Sequence, residues 1–406
     1  MSLKICLLSL EWPPYGGGIG TYMFNLATGL RDLGHNVTVL THDKNPEQIA
    51  GINIAEIPVP NGPGAIKQKL MRWRWEPHQT WAARAKYFFD KLNTTFDILE
   101  TAEYGAWAKH FIGHVQIPIV VRCHTPAHGV QEICENHDCK CKKPLWLKFE
   151  NRRERKQTNE ANAISTPSFV LANHISLSWC IPFSRITVLP NPADTELFKP
   201  SEKKDGKKKE ILFVGRLQYN KGIFDLIESV KPLLKIYSDL MVRIIGKDQK
   251  VSKYVSDKNK MASEEVLARI PYEYRQQISI AGWVPTNELI EHQQNAMCAV
   301  VPSRGFESFS YTLIEHMSCG TAAIATHCGG PTEIIEDGVD GIMVPAGDSE
   351  ALTSALRKLI ENPSLSRELG RNARKKAEEK YSIKVVVPQI AKWYEKIIDN
   401  YQKKKI

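Results

Sequence analysis

Arg216 and Lys221 stand five residues apart in Val214-Gly215-Arg216-Leu217-Gln218-Tyr219-Asn220-Lys221-Gly222, where an apolar run ends and a helical pattern begins. Fixed cations at the carboxyl end of a parallel strand suit a diphosphate, because such sheets take ligands in the crevice beyond their strand ends. A solvated surface pair has the same spacing, so these cations count only with their neighbours. A second stretch, Pro13-Pro14-Tyr15-Gly16-Gly17-Gly18-Ile19-Gly20, also separates a strand-length run from a helical one. Glycines there let backbone N–H groups approach an anion, and the following helix N-terminus favours negative charge. It is not a dinucleotide fingerprint, since Thr21 occupies the third glycine position. A third stretch, residues 302–315, places Glu307 in a loop after a strand and Glu315 eight residues later inside a helix. The helix start between them has unpaired N–H groups to offer an anion. Its carboxylates could accept from hydroxyl-rich groups, a sugar and a ribose; two solvated acids are the bland alternative.

The elements that must carry these residues alternate along the chain. Residues 4–10 and 36–41 read as strands, with an amphipathic helix over 20–33 between them. Later strand-like runs fall at 117–122, 163–165 and 187–189. Pro190, Pro192 and Pro200, followed by Lys203, Lys204, Lys207, Lys208 and Lys209, mark 190–210 as a linker and a candidate hinge. A second series of runs follows at 211–215, 241–245, 278–281, 299–302, 322–325 and 341–344. Residues 383–402 close the chain as a helix with Val386, Ile390, Trp393, Ile397 and Tyr401 at helical spacing. This rhythm predicts α/β architecture with parallel sheets. The expected domains are 1–195, 196–382 and a final helix, 383–406, packing back on the first.

Composition narrows the classes. A chain of 406 residues with 42% hydrophobic and 24% charged residues is globular and long enough for two cores. No apolar run is long enough to span a bilayer. The run at 4–10 meets Glu11 without a small-residue cleavage site, so it reads as a strand rather than a secretory signal. Nine Cys, an odd number, do not form a disulfide framework; Cys6, Cys180, Cys298 and Cys319 are expected to be reduced core thiols, which points to the cytoplasm. The net charge of +9 fits a phosphate-bearing substrate or an anionic surface. No nucleic-acid motif accompanies it, and nucleic acid is not expected as a partner.

Taken together, the motifs resemble the retaining glycosyltransferases of family 4, which have the GT-B fold, two Rossmann-like domains facing across a cleft. The resemblance rests on the Pro-Pro-x-Gly-Gly-Gly loop, Val-Gly-Arg-x4-Lys-Gly, Gly282-Trp283-Val284-Pro285, Glu307-x7-Glu315 and Gly329-Gly330-x2-Glu333-Ile334-Ile335, in the family's order. It implies transfer of a hexosyl unit from a nucleotide-diphosphate sugar, with UDP the first expectation. The implied acceptor is a sugar, a lipid-linked sugar or a polysaccharide precursor, and no cofactor is implied. Arg216 and Lys221 would hold the diphosphate, Glu315 the ribose and Glu307 the transferred sugar. Ser308, Phe309, Ser310, Thr312 and Leu313 would offer backbone N–H groups, and Trp283 and Val284 would meet the base. Gly17 and Gly18 would close on the diphosphate. His124, in Arg122-Cys123-His124-Thr125-Pro126, matches the family's active-site histidine; alone, it reads as a satisfied loop residue.

The chain departs from the family at Glu307-Ser308-Phe309-Ser310, where Glu-Gly-Phe-Gly is usual, and at His316, where Ala is usual. Serines restrict the backbone and add side chains beside the sugar, which bears on sugar identity more than on the reaction. No Asp-x-Asp pair occurs, so no carboxylate clamp for a divalent ion is evident, and no metal is assigned. Front-face displacement with retention is the mechanism this implies. Cys134, Cys139 and Cys141 with His128 and His137 lack standard zinc spacing and read as an insertion near His124. Other GT-B enzymes, such as a nucleotide-sugar epimerase or a phosphorylase, and a non-catalytic nucleotide-sugar-binding subunit are the alternatives. Lys67, Lys69, Arg72, Arg74, Arg84 and Lys86 alternate with Trp73, Trp75 and Trp81, the composition of a segment that settles on anionic lipid. Peripheral contact with the inner face of a membrane is therefore an expectation, set against tryptophans that simply pack into the domain.

Overall fold

A computed structural model describes residues 2–13, 17–42, 45–57, 77–127, 145–201, 208–251 and 260–405. The chain divides into two units, one holding the chain up to Pro192 together with the helix that begins at Ile383, the other running from Ala193 to Ser382.

The first unit is built on strands β1 (Lys4–Ser9), β2 (Asn36–Thr41), β3 (Ile52–Glu56), β4 (Ile98–Ala102), β5 (Ile119–Arg122), β6 (Ala163–Thr166) and β7 (Ile186–Val188). Among the described residues they form one seven-stranded sheet in the order β3-β2-β1-β4-β5-β6-β7. Every pairing is parallel. The strand order reverses between β1 and β4, and in such a sheet the crevice past those two strand ends is the place for a ligand. Strands β3 and β4 are additions to the sequence reading. Glu100 interrupts the apolar run of β4, which hides the strand from a search for continuous hydrophobic stretches.

The first helix, Gly18–Asp32, and the last, Ile383–Lys403, dock at Gly29, where an added Cβ would lie 2.7 Å from methyl groups of Ile383 and Val387. The buried stripe of the last helix is Val386, Val387, Ile390, Ala391, Tyr394, Ile397 and Ile398. Tyr394 thus takes the inward place expected for Trp393, because its hydroxyl finds a buried partner. Trp81, set between a lipid interface and the domain interior by the sequence, is fully buried and meets Trp107 edge-on at 5.8 Å between ring centroids. It belongs to the core with Cys6, Leu8, Leu99 and Phe111, where burial of such a side chain contributes ~1.5–3 kcal/mol. Residues 67–75 of that segment and the cluster of Cys134, Cys139, Cys141, His128 and His137 lie outside the described residues. Cys180 is exposed rather than core, at the left-handed end of the helix Phe169–Trp179.

The second unit contains β8 (Lys208–Val214), β9 (Met241–Ile245), β10 (Ile278–Gly282), β11 (Ala296–Val301), β12 (Ala322–Thr326) and β13 (Ile342–Val344). They form a parallel sheet in the order β10-β9-β8-β11-β12-β13. Alternation along β12 sends Ala322 and Ile324 into one core layer and Ala323 and Ala325 into the other. Helices cover both faces, as a fully parallel sheet requires. Here the order reverses between β8 and β11, so the loops after those strands meet at the switch point. No described helix is long and apolar enough to cross a membrane.

Candidate active site

The loop after β8 carries Arg216 and Lys221, and the loop after β11 carries Glu307. The structure brings Lys221 and Glu307 together, with Nζ 2.5 Å from Oε2. Ser303 Oγ donates to the same carboxylate oxygen at 3.3 Å. Both partners are partly open, at 28% and 18% side-chain exposure, so the pair remains reachable by a ligand. Arg216 is exposed and pairs with no carboxylate among the described residues.

Two close approaches fix this geometry. Gly222 has φ +71°, and a Cβ there would collide with the Pro302 carbonyl oxygen, so only glycine lets the Lys221 turn lie against the β11 loop. On the other side, Gly329 and Gly330 pack on the backbone of Glu307 and Ser308. The Glu307 N–H donates to Cys328 O at 3.0 Å, Gly330 N–H donates to Glu307 O at 2.6 Å, and a Cβ on Gly330 would stand 2.6 Å from Ser308 O. Arg304 binds the two loops further. Its Nε and Nη2 reach the Asp225 carboxylate at 2.5 and 2.6 Å, Nη1 donates to the Tyr219 hydroxyl, and the guanidinium stacks 4.7 Å from the Tyr219 ring centroid. Sequence reasoning missed this clamp: Arg304 lies inside the third stretch, but its partner Asp225 is 79 residues away and meets it only in the fold.

The helix Tyr311–Ser318 starts from Ser310, whose hydroxyl accepts the Leu313 N–H at 3.3 Å. That serine therefore uses one of the N–H groups expected to serve a ligand and caps the helix in its place. Phe309 is buried between Tyr311 and Tyr381, with edge-on ring contacts at 5.8 and 5.9 Å, so only its backbone is available. Ser308 is buried and Thr312 half-buried. Glu315 is half-buried on the same helix, and burial pushes its carboxyl up to about 7, with Gln293 acting in the opposite direction. At the end of β10, Trp283 is 73% exposed while Val284 is buried with Leu212 and Ile245.

In the first unit, Glu11 occupies the expected anion place at the start of the first helix. Its Oε2 accepts Gly17 N–H at 2.8 Å and Gly20 N–H at 3.2 Å, so the Gly17–Gly18 turn is already held by a carboxylate of the chain. Gly18 is the first helical residue. His124 follows β5 and is buried, with Nε2 lacking a hydrogen-bond partner among the described residues. Burial and the neighbouring Arg122 hold its imidazole well below its ordinary value, hence neutral. Its backbone N–H donates to Glu103 Oε2 at 2.9 Å, and that of Thr125 to Oε1 at 2.7 Å. Glu154 in turn accepts Gly105 N–H at 3.1 Å and Ala127 N–H at 3.0 Å. Burial pushes Glu103 up to about 7, and burial together with the nearby Glu103 carboxylate pushes Glu154 well up. Neither Glu103 nor Glu154 leaves a signal in the sequence, since β4, which delivers Glu103, is itself hidden there. Among the described residues no group of three or more His, Cys, Asp or Glu side chains is arranged to hold a metal ion.

Comparison with known proteins accords with this geometry. The family pattern for glycosyl transferases group 1 matches residues 194–376, and that for glycosyltransferase family 4 matches residues 16–197. The chain is 25% identical to the MMP alpha-(1->4)-mannosyltransferase of Mycolicibacterium hassiacum, over 98% of each chain. Its fold is similar to that of sucrose-phosphate synthase from Thermosynechococcus elongatus, with a TM-score of 0.79 and 19% identity over 98% of this chain and 100% of the other. It is also similar to Anabaena HepE, solved in complex with UDP-glucose, with a TM-score of 0.72 and 16% identity over 97% of this chain and 100% of the other.

Proposed function

The chain belongs to the family 4 glycosyltransferases of the GT-B fold, and from that premise we propose that it moves a hexosyl unit from a UDP-sugar to an acceptor hydroxyl with retention of anomeric configuration. The observation that carries this reading is the Lys221–Glu307 pair at the β8/β11 switch point, a cation and a hydrogen-bond acceptor side by side where a sugar diphosphate needs both. Arg216 and Lys221 stabilise the charge that grows on the departing phosphate. Released from Lys221 by the incoming phosphate, Glu307 accepts from the hydroxyls of the transferred sugar. Glu315 accepts from the ribose, and Trp283 and Val284 meet the base. Ser308, Phe309, Ser310 and Thr312 offer backbone N–H groups to the sugar and phosphate, while the Leu313 N–H is taken by the Ser310 cap. In the first unit, Gly17 and Gly18 serve the diphosphate, which takes the place of the Glu11 carboxylate at the Gly17 N–H, and His124 is the active-site histidine.

In the transfer step the bond from the anomeric carbon to the phosphate oxygen breaks as the acceptor oxygen bonds to the same face. The departing phosphate oxygen takes the acceptor's proton. The cations act without a resident metal. UDP is supported by HepE, whose solved complex contains UDP-glucose. The acceptor is a sugar, a glycolipid or a polysaccharide precursor, and Lys67, Lys69, Arg72 and Arg74 give the chain a sequence suited to anionic lipid at the inner face of a membrane. Incubation with UDP-hexoses tests the reading. Slow release of UDP without acceptor is expected, and NMR of the first-formed free sugar or glycoside is expected to show the donor's anomeric configuration. Inverted product overturns retention; an epimerised UDP-sugar, or no UDP released from any UDP-hexose, overturns transfer.

A further inference from the structure

Around His124 the first unit buries a polar network that the reaction above leaves unused. Glu100, in the middle of β4, is fully buried. Its Oε1 accepts from the Tyr22 hydroxyl at 2.7 Å and its Oε2 from the Tyr394 hydroxyl at 2.6 Å. Tyr22 lies on the first helix and Tyr394 on the last, 294 residues along the chain from Glu100. The Tyr22 ring meets the His124 imidazole edge-on, 4.9 Å between centroids and 68° between planes. The Arg122 guanidinium lies 4.8 Å from the same Tyr22 ring centroid. Arg122, also fully buried, is itself held through Nη2, which donates to Leu189 O and Asn191 Oδ1, both at 2.7 Å.

Tyr22 is thus fixed at its hydroxyl and across its ring, and that ring is the wall against which the imidazole rests. The backbone of His124 is held independently, by Glu103. A buried carboxylate and a buried guanidinium are costly to desolvate, and packed apolar residues of similar volume would serve a purely structural core at least as well. What the polar set adds is a single permitted orientation for Tyr22. We propose that Tyr22 is a positioning residue that sets the ring orientation of His124, and that Glu100, Tyr394 and Arg122 hold Tyr22 for that purpose. The proposal rests on the assignment of His124 to the active site.

The test uses the full-length chain labelled at its histidine rings, with the His124 resonance assigned by its loss in His124→Gln. Tyr394→Phe removes one oxygen from the last helix and leaves the packing otherwise intact. It is expected to shift the His124 ring resonances and to lower turnover of a UDP-hexose by roughly tenfold, since small misplacements of a catalytic group cost that much or more. Affinity for UDP is expected to stay at the wild-type value. In the His124→Gln background the same substitution is expected to cost nothing further, which a merely structural role does not predict. Tyr22→Leu, if it folds, gives a larger shift of the same resonances. The proposal is overturned if folded Tyr394→Phe keeps wild-type ring resonances, if it keeps wild-type turnover, or if its loss persists in full without His124. Wild-type protein that turns over no UDP-hexose defeats the functional assignment instead, while the ring resonances still decide whether Tyr394 positions His124.

Discussion

In the second unit Lys221 and Glu307 lie partly open in the loops after β8 and β11 and pair at 2.5 Å. Glu100, Glu103, Glu154 and Arg122 of the first unit are buried beneath the loops they hold. An exposed pair can exchange its partner for a ligand at little cost to the fold, because such pairs contribute little stability. A buried carboxylate that accepts two backbone N–H groups cannot be exchanged, because its loss strands those donors away from water. The Lys221–Glu307 charges are kept for chemistry, whereas Glu100, Glu103, Glu154 and Arg122 of the first unit are committed to shape.

Substitutions can break that contrast. Lys221→Ala and Arg216→Ala are expected to lower kcat by roughly 100- to 1000-fold, about 2.7–4 kcal/mol of transition-state stabilisation if each acts like an oxyanion donor. Their urea midpoints are expected to stay near wild type. Glu154→Ala should do the reverse, losing about 1–3 kcal/mol of stability by leaving Gly105 and Ala127 N–H groups unpaired. A destabilised Lys221→Ala beside an undisturbed Glu154→Ala would invert the comparison.

Gly222→Ala probes the backbone that makes the exposed pair possible. The new Cβ meets the Pro302 carbonyl oxygen at a positive φ, so roughly 1–3 kcal/mol or more of stability should be lost. Turnover should fall with it even at temperatures where the protein remains folded, since Lys221 no longer sits against Glu307. A folded Gly222→Ala with full kcat would show that the turn is not what aligns the pair.

The smallest expected effect separates two carboxyls that titrate alike. Glu103 and Glu315 are both raised by burial from an ordinary 4.5 to about 7. Between those values the unfolded chain has already lost the proton that the folded protein keeps, so each group's contribution to stability falls as pH rises from 4.5 to about 7 and is level above. Glu103→Gln and Glu315→Gln should each flatten that slope in denaturation measured across pH. UDP affinity, by contrast, should weaken from about pH 8 to 6 in wild type and in Glu103→Gln, and lose that dependence only in Glu315→Gln, where no ionised acceptor remains for the ribose. Equal behaviour of the two variants in nucleotide titrations would remove Glu315 from the donor site.

The same contrast explains what could be read from sequence. The strands of the second unit and the Arg216–Lys221 and Glu307–Glu315 stretches were legible, because glycines at Gly222, Gly329 and Gly330 and polar residues at strand ends leave a local record. Strand β4 was not legible: Glu100 makes sense inside a strand only once Tyr22 and Tyr394 arrive from distant helices. Trp393 was misplaced and Trp81 left between two readings for the same reason, since which ring faces inward depends on partners such as Trp107 and Glu100 rather than on spacing. Glu11 stood next to its glycine loop in sequence, yet its role as the acceptor for Gly17 and Gly20 depended on how the loop turns back.

The contact at Gly29 also sets an order of assembly. The described residues of the second unit all fall between Ala193 and Ser382, so its core can be completed before the last helix is made. The first unit, although translated earlier, waits for Ile383 and Val387 to fill the notch at Gly29 and for Tyr394 to reach Glu100. Domains generally mature in the order of synthesis; here the segment made first is finished last. Throughout elongation of the second unit, the nascent chain carries upstream a half-built domain with an open apolar groove and a carboxylate lacking one of its two phenol donors.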